Sequence, residues 1–175
     1  MSDVVSRGTS DTELQHLAVQ IGAHLLDDER RLVTAESCTG GWIAKVLTDV
    51  PGSSAWFLGG VVAYSNTLKQ SLLGVRSSTL VAHGAVSEAT VREMAVGALE
   101  GLGGHVAIAV TGIAGPDGAQ PGKPVGTVWF GWAWRAGDEI ETRVACEVFP
   151  GNREAVRRAT IERALREIPS LTLGA

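Results

Sequence analysis

The chain has 175 residues, 45% hydrophobic and 19% charged, the balance of one globular domain with enough apolar surface for a sizeable core. Its 15 basic and 19 acidic residues leave a net charge of −4, which argues against a nucleic-acid scaffold, since such proteins carry a basic footprint. Cys38 and Cys146 supply neither a disulfide framework nor a metal-spaced cluster, and no apolar run reaches the ~20 residues that span a bilayer. The expectation is a cytoplasmic protein with no membrane or nucleic-acid partner.

Residues 1–10 are polar, lack an apolar signal core and read as a loose tail ahead of a single domain over residues 11–170. Leu14, Leu17, Ala18, Ile21 and Leu25 follow helical spacing, with Ser10 or Asp11 as the cap. Arg31 to Ala35 is a short strand, and Gly41 to Thr48 a helix stopped before Pro51-Gly52. Ala55 to Tyr64 contains a second strand, where Gly59-Gly60 predicts a bend or bulge. Asn66 is placed to cap a helix through Leu68 to Leu73, ended by Gly74. Val81 to Ala85 reads as a connecting piece.

Ser87 caps the next helix, whose apolar face holds Val91, Met94, Ala95, Ala98 and Leu99 and which closes at Gly101 to Gly104. Val106 to Val110 is uninterrupted apolar sequence, the mark of a central strand. Thr111 to Lys123 is a loop dense in glycine and proline. Gly126 to Trp134 and Glu139 to Phe149 form a hairpin, and Asn152 to Ile168 an arginine-rich terminal helix. Strands alternating with helices indicate an α/β domain. With the hairpin added, the expected fold is a three-layer α/β/α sandwich on a mixed, largely parallel sheet.

Ligands of open α/β sheets bind beyond the carboxyl ends of the strands. Three strands end in reactive or glycine-rich loops: Ser37-Cys38-Thr39-Gly40-Gly41, Tyr64-Ser65-Asn66 with Lys69 one turn further on, and Thr111-Gly112-Ile113-Ala114-Gly115-Pro116. If the three strands are parallel neighbours, these loops share one sheet edge. Ser37 stands at a strand-to-helix turn, near unpaired helix amides that can stabilise an oxyanion. Tyr64 or Lys69 could take its proton. The combination points to a serine amidohydrolase without a catalytic histidine.

These segments, with Pro51-Gly52-Ser53-Ser54, Gly60-Val61-Val62-Ala63 and Lys123-Pro124-Val125-Gly126-Thr127-Val128, stand in the order of a known family. From about Leu14 to Ile168 the chain resembles the CinA carboxy-terminal domain family, whose enzymatic members are nicotinamide mononucleotide amidohydrolases; without the large amino-terminal domain that some members carry, it would be the stand-alone form. The resemblance implies hydrolysis of the carboxamide of nicotinamide mononucleotide to nicotinic acid mononucleotide and ammonia. It makes Ser37 the nucleophile and Tyr64 and Lys69 the proton-handling pair. Lys69 would act either as a neutral base or as a charge that lowers the Tyr64 pKa.

The amides around Thr39, Gly40 and Gly41 are the expected oxyanion donors. Thr111, Gly112 and Gly115 suit phosphate or ribose contact through backbone donors, and Arg153 suits phosphate. Asn152 departs from the family's usual Asp but retains the capacity to cap the helix. No metal or redox cofactor is expected, and a homo-oligomer is possible for a compact enzyme.

Each residue also has a plainer reading: Ser37 as a helix cap, Tyr64 as strand-end packing, Lys69 and Arg153 as solvated surface cations, Thr111 to Pro116 as a turn. Cys38 reads as structural, as do Trp129, Phe130, Trp132 and Trp134; a structural hydrogen bond suffices for Glu36. His16, His24, His83 and His105 are scattered and receive no catalytic role. Two alternatives remain at this point: a non-enzymatic nucleotide- or protein-binding domain linked to competence or DNA damage, and an amidase for another small amide.

Overall fold

β1 (Leu32–Glu36) and β3 (Val106–Gly112) lie side by side at the centre of the sheet, and every residue of β1 is buried. Continuous burial of this kind requires helices on both faces, which is what the computed structural model, describing residues 9–172, contains. The sheet is completed by β2 (Phe57–Val62), β4 (Thr127–Ala136) and β5 (Glu139–Val148), in the order β2-β1-β3-β4-β5. β1 pairs in parallel with β2 and β3, whereas the β3–β4 and β4–β5 pairings are antiparallel. Four of the five strands therefore point the same way, in a mixed sheet.

One face carries α1 (Asp11–Asp27), α2 (Trp42–Thr48), α6 (Arg153–Arg166) and α7 (Ile168–Thr172) over Leu32, Ile108, Val110, Phe130 and Trp132. The other carries α5 (Glu88–Leu102), flanked by α3 (Asn66–Leu73) and α4 (Ser77–His83). Here the sheet presents small side chains, Ala107, Ala109 and Ala133. A Cβ at Gly131 would stand 2.6 Å from the Val91 carbonyl, so α5 rests almost directly on the sheet backbone. Large residues alternate with small ones along β3 because successive side chains face opposite layers. The aromatic residues of β4 pack as expected: Phe130 and Trp132 stack at 5.6 Å, and the Trp132 indole donates to the Ala164 carbonyl.

Several local expectations shift. Ser10 caps α1 in a reciprocal capping box with Glu13. The tail expected over residues 1–10 lies outside the described residues up to position 8; the Thr9 hydroxyl donates to Glu162. The α3 cap is Ser65, whose hydroxyl accepts from the Leu68 amide, one residue before the Asn66 expected, and Gly74 ends the helix. Residues 81–83, read as a connector, belong to α4; its Val81 is 85% exposed, so no apolar stripe announces a helix. The terminal helix stops at Arg166, and Ile168 begins the separate short α7, with Pro169 in its first turn. Leu58 is skipped in the β1–β2 register, which is the bulge expected from Gly59-Gly60. Among the described residues no helix is long and apolar enough to cross a membrane.

Because β2, β1 and β3 are parallel neighbours, the segments after Val62, Glu36 and Gly112 emerge at one sheet edge. β5 returns to that edge at Val148, which brings the start of α6 beside the same three loops.

Candidate active site

The turn after β1 is built around Glu36. Ser37 extends the β1–β3 pairing by one bond, its amide donating to the Val110 carbonyl at 3.1 Å, and the Gly40 amide then turns back to the Ser37 carbonyl at 3.0 Å. Gly40 and Gly41 have φ of +60° and +92°, conformations that only glycine adopts without strain. Gly41 is the N-cap of α2 and has no side chain to satisfy the helix amides. Glu36, 1% exposed, does so instead. One carboxylate oxygen accepts from the Thr39 hydroxyl (2.6 Å) and the amides of Gly41 (3.1 Å) and Ile43 (3.0 Å), the other from the Ala44 amide (2.8 Å).

The positive end of α2 is thus already neutralised by a carboxylate of the protein itself. The Gly40 and Gly41 amides, expected to face a substrate, are committed within the turn, as is the Thr39 hydroxyl. Among the described residues the Cys38 and Thr39 amides of the turn donate to no other residue, and Cys38 lines the cavity beside Ser37.

Lys69 enters from α3. It is 1% exposed, and its Nζ lies 3.0 Å from Ser37 Oγ, 2.8 Å from the Ala63 carbonyl and 3.4 Å from the Tyr64 carbonyl. It forms no ion pair among the described residues. Burial pulls its pKa below the ordinary lysine value, because the ammonium loses its water and gains only neutral acceptors. Cys38 is 6% exposed, and burial pushes its thiol up to about 12, which leaves it protonated and inert beside Ser37.

Tyr64 meets Lys69 through its backbone carbonyl only. Its side chain, 60% exposed, turns to the mouth of the site, where the hydroxyl accepts from Arg153 Nη2 at 3.1 Å. Arg153 Nη1 donates to the Gly115 carbonyl at 2.9 Å, so the arginine joins the second and third loops across the opening. Asn152 accepts from the Ala155 amide and caps α6. Thr111 and Gly112 line the cavity, although both belong to β3, and the Thr111 hydroxyl donates to the Ala85 carbonyl. Thr39, Gly40, Gly41 and Gly115 stand behind this lining.

The cavity over Ser37 has a volume of about 220 Å³ and also admits Asn66 and Ala114. A larger groove of about 620 Å³ runs between α3 and α5, but it holds no nucleophile and its arginines are paired, Arg76 with Glu93 and Arg92 with Glu88. No His, Cys, Asp or Glu cluster with metal-ligand geometry occurs among the described residues.

The structural hydrogen bond expected of Glu36 is present four times over, from donors three to eight residues downstream that meet it only after the chain turns. One participant escapes sequence reading. Arg157, one turn after Arg153 on α6, donates to the Thr39 carbonyl at 2.8 Å across 118 residues of sequence. Its spacing from Arg153 was the available signal.

Residues 14–172 match the CinA C-terminal domain. The nicotinamide-nucleotide amidohydrolase PncC of Escherichia coli strain K12 is 51% identical over 159 residues, covering 91% of this chain and 94% of that protein. The Pseudomonas putida protein of the same name is 49% identical over 149 residues, covering 85% and 91%. A crystal structure described as competence damage-inducible protein A from Klebsiella pneumoniae superposes with a TM-score of 0.87 at 39% identity, covering 93% of this chain and 99% of that one.

Proposed function

Since the chain belongs to the CinA C-terminal domain family, we propose that it hydrolyses the carboxamide of nicotinamide mononucleotide, releasing ammonia and nicotinic acid mononucleotide. The observation that carries the mechanism is the buried Lys69 Nζ held 3.0 Å from Ser37 Oγ with carbonyls as its other partners. In the neutral amine two N–H bonds are directed to the Ala63 and Tyr64 carbonyls, and the lone pair faces the serine hydroxyl.

Ser37 Oγ attacks the carboxamide carbon while its proton passes to Lys69 Nζ. The carbonyl oxygen becomes an oxyanion, for which the amide of Cys38, beside Ser37 in the cavity lining, is the donor. Collapse of the tetrahedral adduct breaks the C–N bond, and the Lys69 ammonium returns its proton to the departing nitrogen, which leaves as ammonia. Water then attacks the ester, Lys69 takes its proton, and collapse restores Ser37 with release of the acid. Hydrolysis leaves oxidation states unchanged, so the cycle draws on no redox cofactor.

Arg153 at the mouth keeps donors free beyond those given to Gly115 and Tyr64, and there it meets the 5′-phosphate of the substrate. This assignment suits the filled α2 terminus, which leaves no anion site at that helix. Tyr64 holds Arg153 and borders the ring-binding space; proton transfer falls to Lys69. Both cysteines are free, as fits the reducing cytoplasm.

The test is ammonia release from nicotinamide mononucleotide by the purified protein and by Ser37→Ala, without added metal. Turnover that disappears in a folded Ser37→Ala protein supports substrate and nucleophile together. A folded wild type that binds the nucleotide and releases no ammonia would sink the amidase reading.

A further inference from the structure

Arg157 is an unusual presence behind the nucleophile turn. It is half-buried, its guanidinium lies over the Trp42 ring at 5.0 Å, and its Nε is buried without a hydrogen-bond partner. An orphaned buried donor is destabilising, and an apolar side chain would fill the same space without it. The use of the group therefore lies in the bond it does make, from Nη2 to the Thr39 carbonyl at 2.8 Å.

That carbonyl belongs to the Thr39–Gly40 peptide. The N–H of the same rigid unit is the Gly40 amide, which donates to the Ser37 carbonyl at 3.0 Å. The Ser37 carbonyl belongs to the Ser37–Cys38 peptide, and the N–H of that unit is the amide of Cys38, a residue of the cavity lining, which donates to no other residue of the turn. Two planar peptides thus connect the guanidinium to the oxyanion donor. Fixing the first plane fixes the second, and a rotation of either turns the Cys38 N–H away. Glu36 holds the opposite side of the same turn through Thr39 Oγ1 and the Gly41 amide. The glycine between the two clamps has its φ in the left-handed region, and a Cβ there would stand 3.3 Å from Arg157 Nη2.

We propose that Arg157 is a positioning residue for amide hydrolysis, aiming the Cys38 N–H at the oxygen that becomes the oxyanion. The proposal rests on the amidohydrolase reading and adds a residue that touches no substrate. α6 then serves the site twice, with Arg153 at the mouth and Arg157 behind the nucleophile.

The test compares wild type, Arg157→Met and Arg157→Lys in two measurements: kcat and KM for ammonia release from nicotinamide mononucleotide, and NMR hydrogen exchange at the Gly40 amide. Methionine preserves the apolar contact with Trp42, and lysine restores the charge and a donor. A misaimed donor lowers transition-state stabilisation while leaving substrate binding alone, so Arg157→Met is expected to lose roughly 10–100-fold in kcat with KM within about twofold. Arg157→Lys should recover most of that loss, and Gly40 exchange should accelerate in the methionine variant alone. Wild-type kcat in folded Arg157→Met, or a lowered kcat with unchanged Gly40 exchange, overturns the relay. The two readings fail separately: absent wild-type turnover refutes the amidase, and unaltered Gly40 exchange refutes the role of Arg157.

Discussion

Lys69→Met removes the group 3.0 Å from the Ser37 hydroxyl and keeps a side chain of similar length in a site that is 1% exposed. A positioned general base contributes about 10²–10⁴-fold, or ~3–5 kcal/mol of barrier, and kcat/KM should fall by that amount. Stability should move differently. The folded-state pKa of Lys69 is lowered by burial. Between that value and the unfolded one, the unfolded chain binds a proton that the folded chain does not, so stability rises with pH across this window. Below the window the buried ammonium disfavours the fold, and methionine removes that penalty, losing only the bonds to the Ala63 and Tyr64 carbonyls. Lys69→Met should therefore fold normally at neutral pH and lack the increase of melting temperature that the wild type shows across the window.

The assay is ammonia release against pH for wild type, Lys69→Met and Lys69→Arg. Wild-type kcat/KM should climb as pH passes the lowered pKa, and arginine, which stays protonated, should not rescue. Arginine retaining more than about one tenth of the wild-type rate, far above the ~10²-fold minimum loss for a missing base, would refute the neutral-amine mechanism. A wild-type profile flat from mildly acid to mildly alkaline pH would do the same.

Glu36→Gln keeps an oxygen for three of the four donors but sets an NH₂ against the Ala44 amide; a loss of about 1–3 kcal/mol is expected in urea unfolding, and an unchanged midpoint would contradict the clamp. Gly97→Ala would place a Cβ 1.8 Å from the Leu73 carbonyl, pushing away the end of the helix that carries Lys69. Overpacking of this kind costs about 1–3 kcal/mol, and calorimetry should find a lower melting temperature together with reduced kcat. Arg153→Ala should raise KM for nicotinamide mononucleotide roughly 10–100-fold, the loss of one charge-assisted contact, and leave the KM of the unphosphorylated nucleoside little changed. Equal effects on both substrates would remove Arg153 from the phosphate.

Much of this architecture is legible in the residues because it depends on local chemistry. Ser87, Gly74 and Gly103 mark helix ends where capping geometry requires them. Parallel pairing of three apolar strands is enough to bring Ser37, Tyr64 and Thr111 to one edge. What escapes sequence reading is decided by direction or distance. The Tyr64 backbone faces Lys69 while its side chain reaches an arginine 89 positions away. The Glu36 carboxylate takes over a helix terminus that glycine leaves uncapped, which commits the Gly41 amide, one of the expected oxyanion donors, within the turn. α4 is hidden because it presents an almost fully exposed valine instead of an apolar stripe.

The hairpin of β4 and β5 has a practical consequence. Its turn at Gly137-Asp138 lies beyond the amino end of β3, whereas Ser37 lies at the carboxyl end, so a strand length of roughly 20 Å separates them. None of the catalytic-edge loops passes through that turn. A fluorophore or a short affinity tag inserted there would give the protein a handle for immobilisation or single-molecule work that leaves the chemistry at the other end of the sheet undisturbed.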